Sequence, residues 1–220
     1  MRTIFRTLVG LSLVALVAGP AAAQGQGRGF GRGGMGGLAG LLGNASVQKE
    51  LKLDDAQTTK AKETSEKISA DSREKFTALG QDLSQEERRE KMTAIGHEMN
   101  EATLKAIGEY LKPEQVTRLK QISYQQRGAS AFADAEVAKK LKITDAQKTD
   151  IQAIVQESFG KMNTIRQEHQ DDREGMMKAM TELRKDILTK AEAKLNDEQQ
   201  KTWKELLGSP FEVKYEPRPQ

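Results

Sequence analysis

The chain of 220 residues has no cysteine, two histidines, five prolines and only 5% aromatic residues. Without Cys there is no disulfide framework, no cysteine-bound zinc or iron–sulfur site and no thiol nucleophile. Few aromatics argue against a β-sandwich or barrel, whose strands draw on Tyr, Phe and Trp as well as Val and Ile. Only one long apolar run exists, from Thr7 to Gly19, and it is shorter than the ~20 residues that span a bilayer. What is abundant is charge of both signs, 30% of the chain. What remains is a polar, helical chain or a disordered one, and the pattern along the chain decides for an all-α protein.

The apolar run has the layout of a secretory signal peptide over residues 1–23. Arg2 and Arg6 form a basic start, Leu8 to Ala18 an apolar middle, and Ala21-Ala22-Ala23 a small-residue cleavage pattern. Cleavage is expected between Ala23 and Gln24, leaving no stable membrane span. The segment carries two arginines and no acidic residue, so its removal takes the formal charge from +3 to +1. A nearly neutral mature chain gives no electrostatic reason to expect a nucleic-acid partner. Residues 24–43 hold ten of the nineteen glycines and read as a flexible linker. Arg28 and Arg32 lie in this stretch; two arginines behind a signal peptide do not make it an RNA-binding segment.

From Asn44 the sequence is rich in Ala, Glu, Lys, Gln and Leu, with Pro113 the single proline before Pro210. Met92, Ile95, Met99, Ala102, Ala106 and Tyr110 recur at spacings of three and four, the period of one helix face. Ile151, Ile154, Val155, Met162 and Ile165 do the same, as do Met176, Met180, Leu183, Ile187 and Ala191. Gly80 to Leu83 and His169 to Asp172 mark the tips of two helical hairpins. The chain also repeats itself. Val47 to Gln57 aligns with Val137 to Gln147 at an offset of 90, and Leu111 to Gln115 with Leu195 to Gln199 at 84. Two tandem units follow, 44–130 and 131–209, each a long antiparallel hairpin with short flanking helices. Residues 210–220, with three prolines, form an extended tail that docks on a helix groove or stays free.

Four segments share one form: an aliphatic residue, a capping residue, two variable positions and Gln. They are Leu53-Asp54-Asp55-Ala56-Gln57, Leu111-Lys112-Pro113-Glu114-Gln115, Ile143-Thr144-Asp145-Ala146-Gln147 and Leu195-Asn196-Asp197-Glu198-Gln199. Each predicts a helix start. Asp54, Thr144 and Asn196 are placed to accept from the backbone N–H three residues on, while the Gln reaches back to the capping N–H. Acidic residues in the first turn suit the helix dipole, and Pro113 loses nothing at a position with no intrahelical N–H bond. Lys112 has no acceptor, so its cap is the weak one. A fourfold L-T-x-x-Q-like motif behind a signal peptide resembles the Spy/CpxP superfamily of bacterial periplasmic proteins, here as a tandem duplication of the usual two-motif unit. Thr144 keeps the family's Thr; Asp54, Lys112 and Asn196 depart from it. The resemblance implies an all-helical periplasmic protein, with ATP-independent chaperones, envelope-stress regulators and metal-responsive sensors as the activities to weigh.

Little in the chain promises catalysis. His97-Glu98-Met99-Asn100-Glu101 differs from the zinc-protease motif by Glu101 in place of the second His, which leaves two ligands and no third. His169 stands without a second His nearby. No cofactor or metal is therefore expected, and no enzyme. Six methionines, Met92, Met99, Met162, Met176, Met177 and Met180, fall in the helical region. Their spacing within the apolar stripes favours core positions. The other reading is an adaptable client-binding surface, since Met is flexible and polarizable; Met176-Met177-Lys-Ala-Met180 would also suit Cu(I). The expected partners are unfolded or envelope proteins, bound by a monomeric pseudo-dimer or a homodimer. A metal-responsive sensor or buffer and a purely structural envelope protein are the alternatives.

Overall fold

The computed structural model describes residues 37–80 and 82–215. The expected signal segment 1–23, the expected cleavage position between Ala23 and Gln24, and glycine-rich residues 24–36 lie outside them. The protein is all-α, 79% helical with no strand among the described residues. The described residues form nine α-helices in order: α1 (Leu38–Leu42), α2 (Ala45–Glu50), α3 (Asp55–Thr77), α4 (Gln85–Ile107), α5 (Pro113–Arg127), α6 (Ala135–Leu141), α7 (Asp145–Glu168), α8 (Arg173–Glu192) and α9 (Asp197–Leu207). A 3-10 segment, Gly128–Ala133, separates α5 from α6. The long pairs α3/α4 and α7/α8 are antiparallel hairpins, α3 ending at Thr77 and α4 starting at Gln85, α7 ending at Glu168 and α8 starting at Arg173.

Local chemistry starts the helices. Asn44 Oδ1 accepts from the N–H groups of Ser46 and Val47, at 2.8 and 3.2 Å, to open α2. Asp134 does the same for α6. Ser84 and Glu87 form a reciprocal capping box at the start of α4. The two short helices α2 and α6 end alike as well. Lys52 and Lys142, 90 residues apart, both take the left-handed conformation, with φ of 50° and 52°. At each, Leu53 N–H bonds Gln48 C=O and Ile143 N–H bonds Ala138 C=O, the pattern that turns a chain sharply off a helix end.

The glycine-rich stretch 24–43 is not a linker throughout. Its last residues form α1, and Leu38, Leu41 and Leu42 are buried in the first core with Val47, Leu51, Ile107, Leu119 and Ile122. Burying one leucine is worth roughly 1.5–3 kcal/mol, against about 1 kcal/mol for holding one glycine in a helix. Three leucines at helical spacing therefore outweigh Gly40. Ser65 Oγ, on α3, donates to Ala39 C=O at 2.7 Å and fixes the helix in place. The expected boundary at 130/131 also moves. It falls inside the 3-10 segment, which packs on α7 and α8 as α1 packs on α3 and α4. Leu38–Leu42 and Gly128–Phe132 stand at the same offset of 90, so the units run from 38 to 127 and from 128 to 207.

A second core gathers Phe132, Val137, Leu141, Ile151, Ala191, Leu195 and Trp203. Tyr124 of α5 joins it, lying 6.5 Å from the Trp203 ring, while Phe132 lies 4.6 Å from that ring on centroids. Trp203 Nε1 donates to Glu192 at 2.8 Å, which satisfies the one polar atom of a buried indole. Each unit clamps the other. From α5, Lys120 and Arg127 reach Glu136 and Asp134 at the start of α6. In return the chain after α9 crosses to α2 and α5, where Val213 is buried and Phe211 packs against the first core.

Two outcomes follow. Leu41→Ala should destabilise the chain by roughly 2–5 kcal/mol in urea unfolding, a core-sized loss a linker residue would not give. Burial works against ionisation of Glu136, but hydrogen bonds and charge from Lys120 and Lys140 hold its carboxyl below the ordinary carboxylate range. A lowered folded pKa stabilises above the unfolded value, about 4.3, and that gain is lost as pH falls through the folded value. Glu136→Gln should therefore lower stability at neutral pH and flatten its decline toward about pH 3, followed by thermal unfolding across that range.

Candidate functional site: glutamine clasps and hairpin arms

The four motif glutamines do more than cap. In the first unit Gln57 N–H bonds Asp54 Oδ1 at 2.8 Å, and Gln57 Oε1 accepts from Asp54 N–H at 3.2 Å, closing the local box. The same Oε1 also accepts from Gln115 Nε2 at 3.1 Å, and Gln57 Nε2 donates to Gln115 Oε1 at 2.9 Å. Each amide then spends its remaining N–H on a backbone carbonyl of the opposite strand of chain. Gln57 reaches Tyr110 C=O at 3.0 Å and Gln115 reaches Leu51 C=O at 3.1 Å. Lys112, lacking an acceptor, leaves the Gln115 N–H to bond the Lys112 carbonyl at 3.0 Å; Gln115 Oε1 still accepts from Lys112 N–H at 2.9 Å.

The second unit repeats this arrangement with Gln147 and Gln199. Their amides exchange hydrogen bonds of 2.7 and 3.0 Å, and reach Lys194 C=O and Leu141 C=O at 2.8 and 3.0 Å. Gln147 and Gln199 back-bond to the N–H groups of Thr144 and Asn196, whose side chains accept in return. Leu53, Leu111, Ile143 and Leu195 flank the two clasps; Leu111 and Leu195 are buried, while Leu53 and Ile143 pack at the core margins. A clasp thus ties the first turn of one long helix to the first turn of the closing helix and locks the hairpin base. The clasps differ in cover. Beside the first, Arg118 pairs with Glu50 at 2.7 Å. The corresponding positions in the second unit are Thr202 and Lys140, which line a shallow pocket of about 250 Å³ against Gln147 and Gln199.

Away from the base the hairpins are thin. Among the described residues, none from 69 to 102 and none from 159 to 190 is buried. Two helices alone cannot enclose a side chain, so the apolar stripes of these arms stay partly open. Neither core contains a methionine, which corrects the expectation of core positions. Met99, Met162, Met176 and Met180 are half-buried; Met92 and Met177 are exposed, and Phe159 is 49% exposed. The residues around them are charged and partly paired. Lys75 reaches Glu98 across the first hairpin, and Lys161 and Lys190 pair with Glu157 and Asp186 one turn away on the second. The geometry therefore offers long, mixed-charge faces with apolar stripes between them.

His97 and Glu101 lie exposed on α4, and His169 sits at the second tip, 3.7 Å from Asp172. No group of three His, Asp or Glu side chains among the described residues is placed to hold a metal ion. Perturbed ionisation is explained by structure in each case. Hydrogen bonds from Ser84 hold Glu87 low, the Lys161 partner holds Glu157 low, and burial pushes Tyr110 and Tyr124 up.

The clasp gives a sharp expectation. Gln57→Leu removes the amide exchange with Gln115, which keeps only its bonds to Leu51 C=O and Lys112 N–H, and leaves Asp54 N–H and Tyr110 C=O without partners, at about 1–3 kcal/mol for each unsatisfied group. Gln57→Leu with Gln115→Leu should cost clearly less than the sum of the single changes, read from a double-mutant cycle in urea. Additive losses would mean that the two glutamines act as separate caps. No family model, curated protein or solved structure matches the chain.

Proposed function

We propose that this is an exported, non-catalytic protein of Spy/CpxP type that binds unfolded or stress-damaged envelope proteins without ATP. The observation that carries the reading is the open pair of hairpin arms. Their apolar stripes, with Met92, Met99, Met162, Met176, Met180 and Phe159, remain accessible between charged borders. Flexible, polarizable side chains can repack against many different sequences, which suits a binder of non-native chains. Charges of both signs at the borders keep the protein soluble and favour contacts that are weak and reversible. The signal-like segment supports action outside the cytoplasm, and the four Gln motifs support the family likeness. The two tandem units act as one intramolecular pseudo-dimer.

Aggregation of reduced insulin, followed by light scattering, tests the reading. The mature chain should suppress scattering near a one-to-one molar ratio, with no nucleotide added. Phe159→Asp, an exposed change expected to alter stability by less than about 0.5 kcal/mol, should weaken suppression while Trp203 fluorescence stays native. Unchanged scattering at a large excess of protein would sink the proposal.

A further inference from the structure

The C-terminal segment of the described chain behaves as a guest on the first unit. Helix α9 stops at Gly208, whose φ of 60° is a conformation that side-chain-bearing residues rarely adopt. A Cβ there would also run into the Gln121 side-chain amide of α5. Pro210 then prevents helical continuation. The chain runs without regular secondary structure through Phe211 to Tyr215, with apolar residues alternating against Glu212 and Lys214. Val213 is 8% exposed and belongs to the first core. Phe211 packs beside it with the Arg118 guanidinium 6.0 Å from its ring.

What holds this segment is chemically general. Arg118 Nη1 and Gln125 Nε2 both donate to Ser209 C=O, at 2.8 and 2.9 Å. Phe211 N–H donates to Gln125 Oε1 at 2.9 Å, and Lys214 N–H to Ser46 Oγ at 3.0 Å. Asn44 Nδ2 donates to Lys214 C=O at 2.9 Å. Every one of these bonds is made to the guest's backbone, so the groove reads an extended main chain and two apolar side chains. The second unit offers no such groove. At the positions of Asn44 and Ser46 it has Asp134 and Glu136, already bound to Arg127 and Lys120 of α5.

We propose that the α2–α5 groove is a docking site for extended peptide segments bearing apolar side chains at alternate positions, with residues 209–215 as the occupant in cis. The segment follows the last helix, so it can leave without breaking a clasp or a hairpin. A tethered occupant competes at an effective concentration in the millimolar range, and only a peptide that matches its pattern displaces it. This site is separate from the arm surface and stands whether or not the arms bind unfolded proteins.

The probe is a fluorescently labelled dodecapeptide with the sequence of residues 209–220, measured by anisotropy. A full mature chain carrying Phe211→Ser and Val213→Ser should bind it at least about tenfold more tightly than the unsubstituted chain. The peptide with the same two serines should bind neither. Equal binding by both chains, or binding by neither, overturns the proposal. A second measurement uses the unsubstituted chain alone. Excess unlabelled peptide should speed amide hydrogen exchange at Phe211 and Lys214, whose N–H groups Gln125 and Ser46 hold. Unchanged exchange at millimolar peptide overturns it even if the substituted chain misfolds. Phe159→Asp should leave peptide binding intact, which separates failure of this site from failure of the arm surface.

Discussion

The reciprocal amide pair is the interaction on which the fold rests. A buried side-chain amide brings two donors and two acceptor sites, and leaving any of them bare is costly. Gln57 and Gln115 meet this demand by bonding each other, the capping N–H groups and carbonyls from the facing chain. One side chain therefore sets where a helix begins and which other helix begins beside it. The same solution recurs with Gln147 and Gln199. Without it, two long polar helices with few buried residues would have little to fix their register.

The two units are joined by exchange. Helix α5 contributes Tyr124 to the second core and Lys120 and Arg127 to the start of α6. The chain after α9 contributes Val213 to the first core and backbone groups to Asn44 and Ser46. One clamp is ionic and lies on a helix; the other is apolar and lies on an extended segment. That difference follows from length. Helix α5 has 15 residues and α9 has 11, so α9 stops about one turn short and irregular chain completes the span. The second unit in turn keeps an open pocket beside its clasp, where Thr202 and Lys140 stand at the positions of Arg118 and Glu50.

Burial is concentrated at the hairpin bases, and the arms project with stripes only partly covered. Such a distribution costs stability relative to a globule of the same length. It leaves accessible apolar surface interleaved with charge, the feature on which the proposed binding role of the arms rests. Methionine is at home there because an unbranched, polarizable side chain adapts to partial cover.

The sequence by itself determined the features governed by nearest neighbours along the chain. Helical class, the caps at Asp54, Thr144 and Asn196, the hairpin tips and the duplication all follow from residue type and spacing. The back-bond of each motif Gln to its own capping N–H was legible for the same reason. The pairing of Gln57 with Gln115 was not, because it joins residues 58 positions apart. A signal was present even so: a glutamate closes a capping box equally well, yet all four copies carry Gln, the residue that can also donate. Tertiary structure alone decided that Leu38–Leu42 is core, since glycine content measures the entropy of ordering and says nothing of the buried surface that offsets it. It also decided that the methionines stay out of the core. Helical spacing gives each a face, but how deeply that face is covered depends on how many elements surround it, and at the arms there are only two.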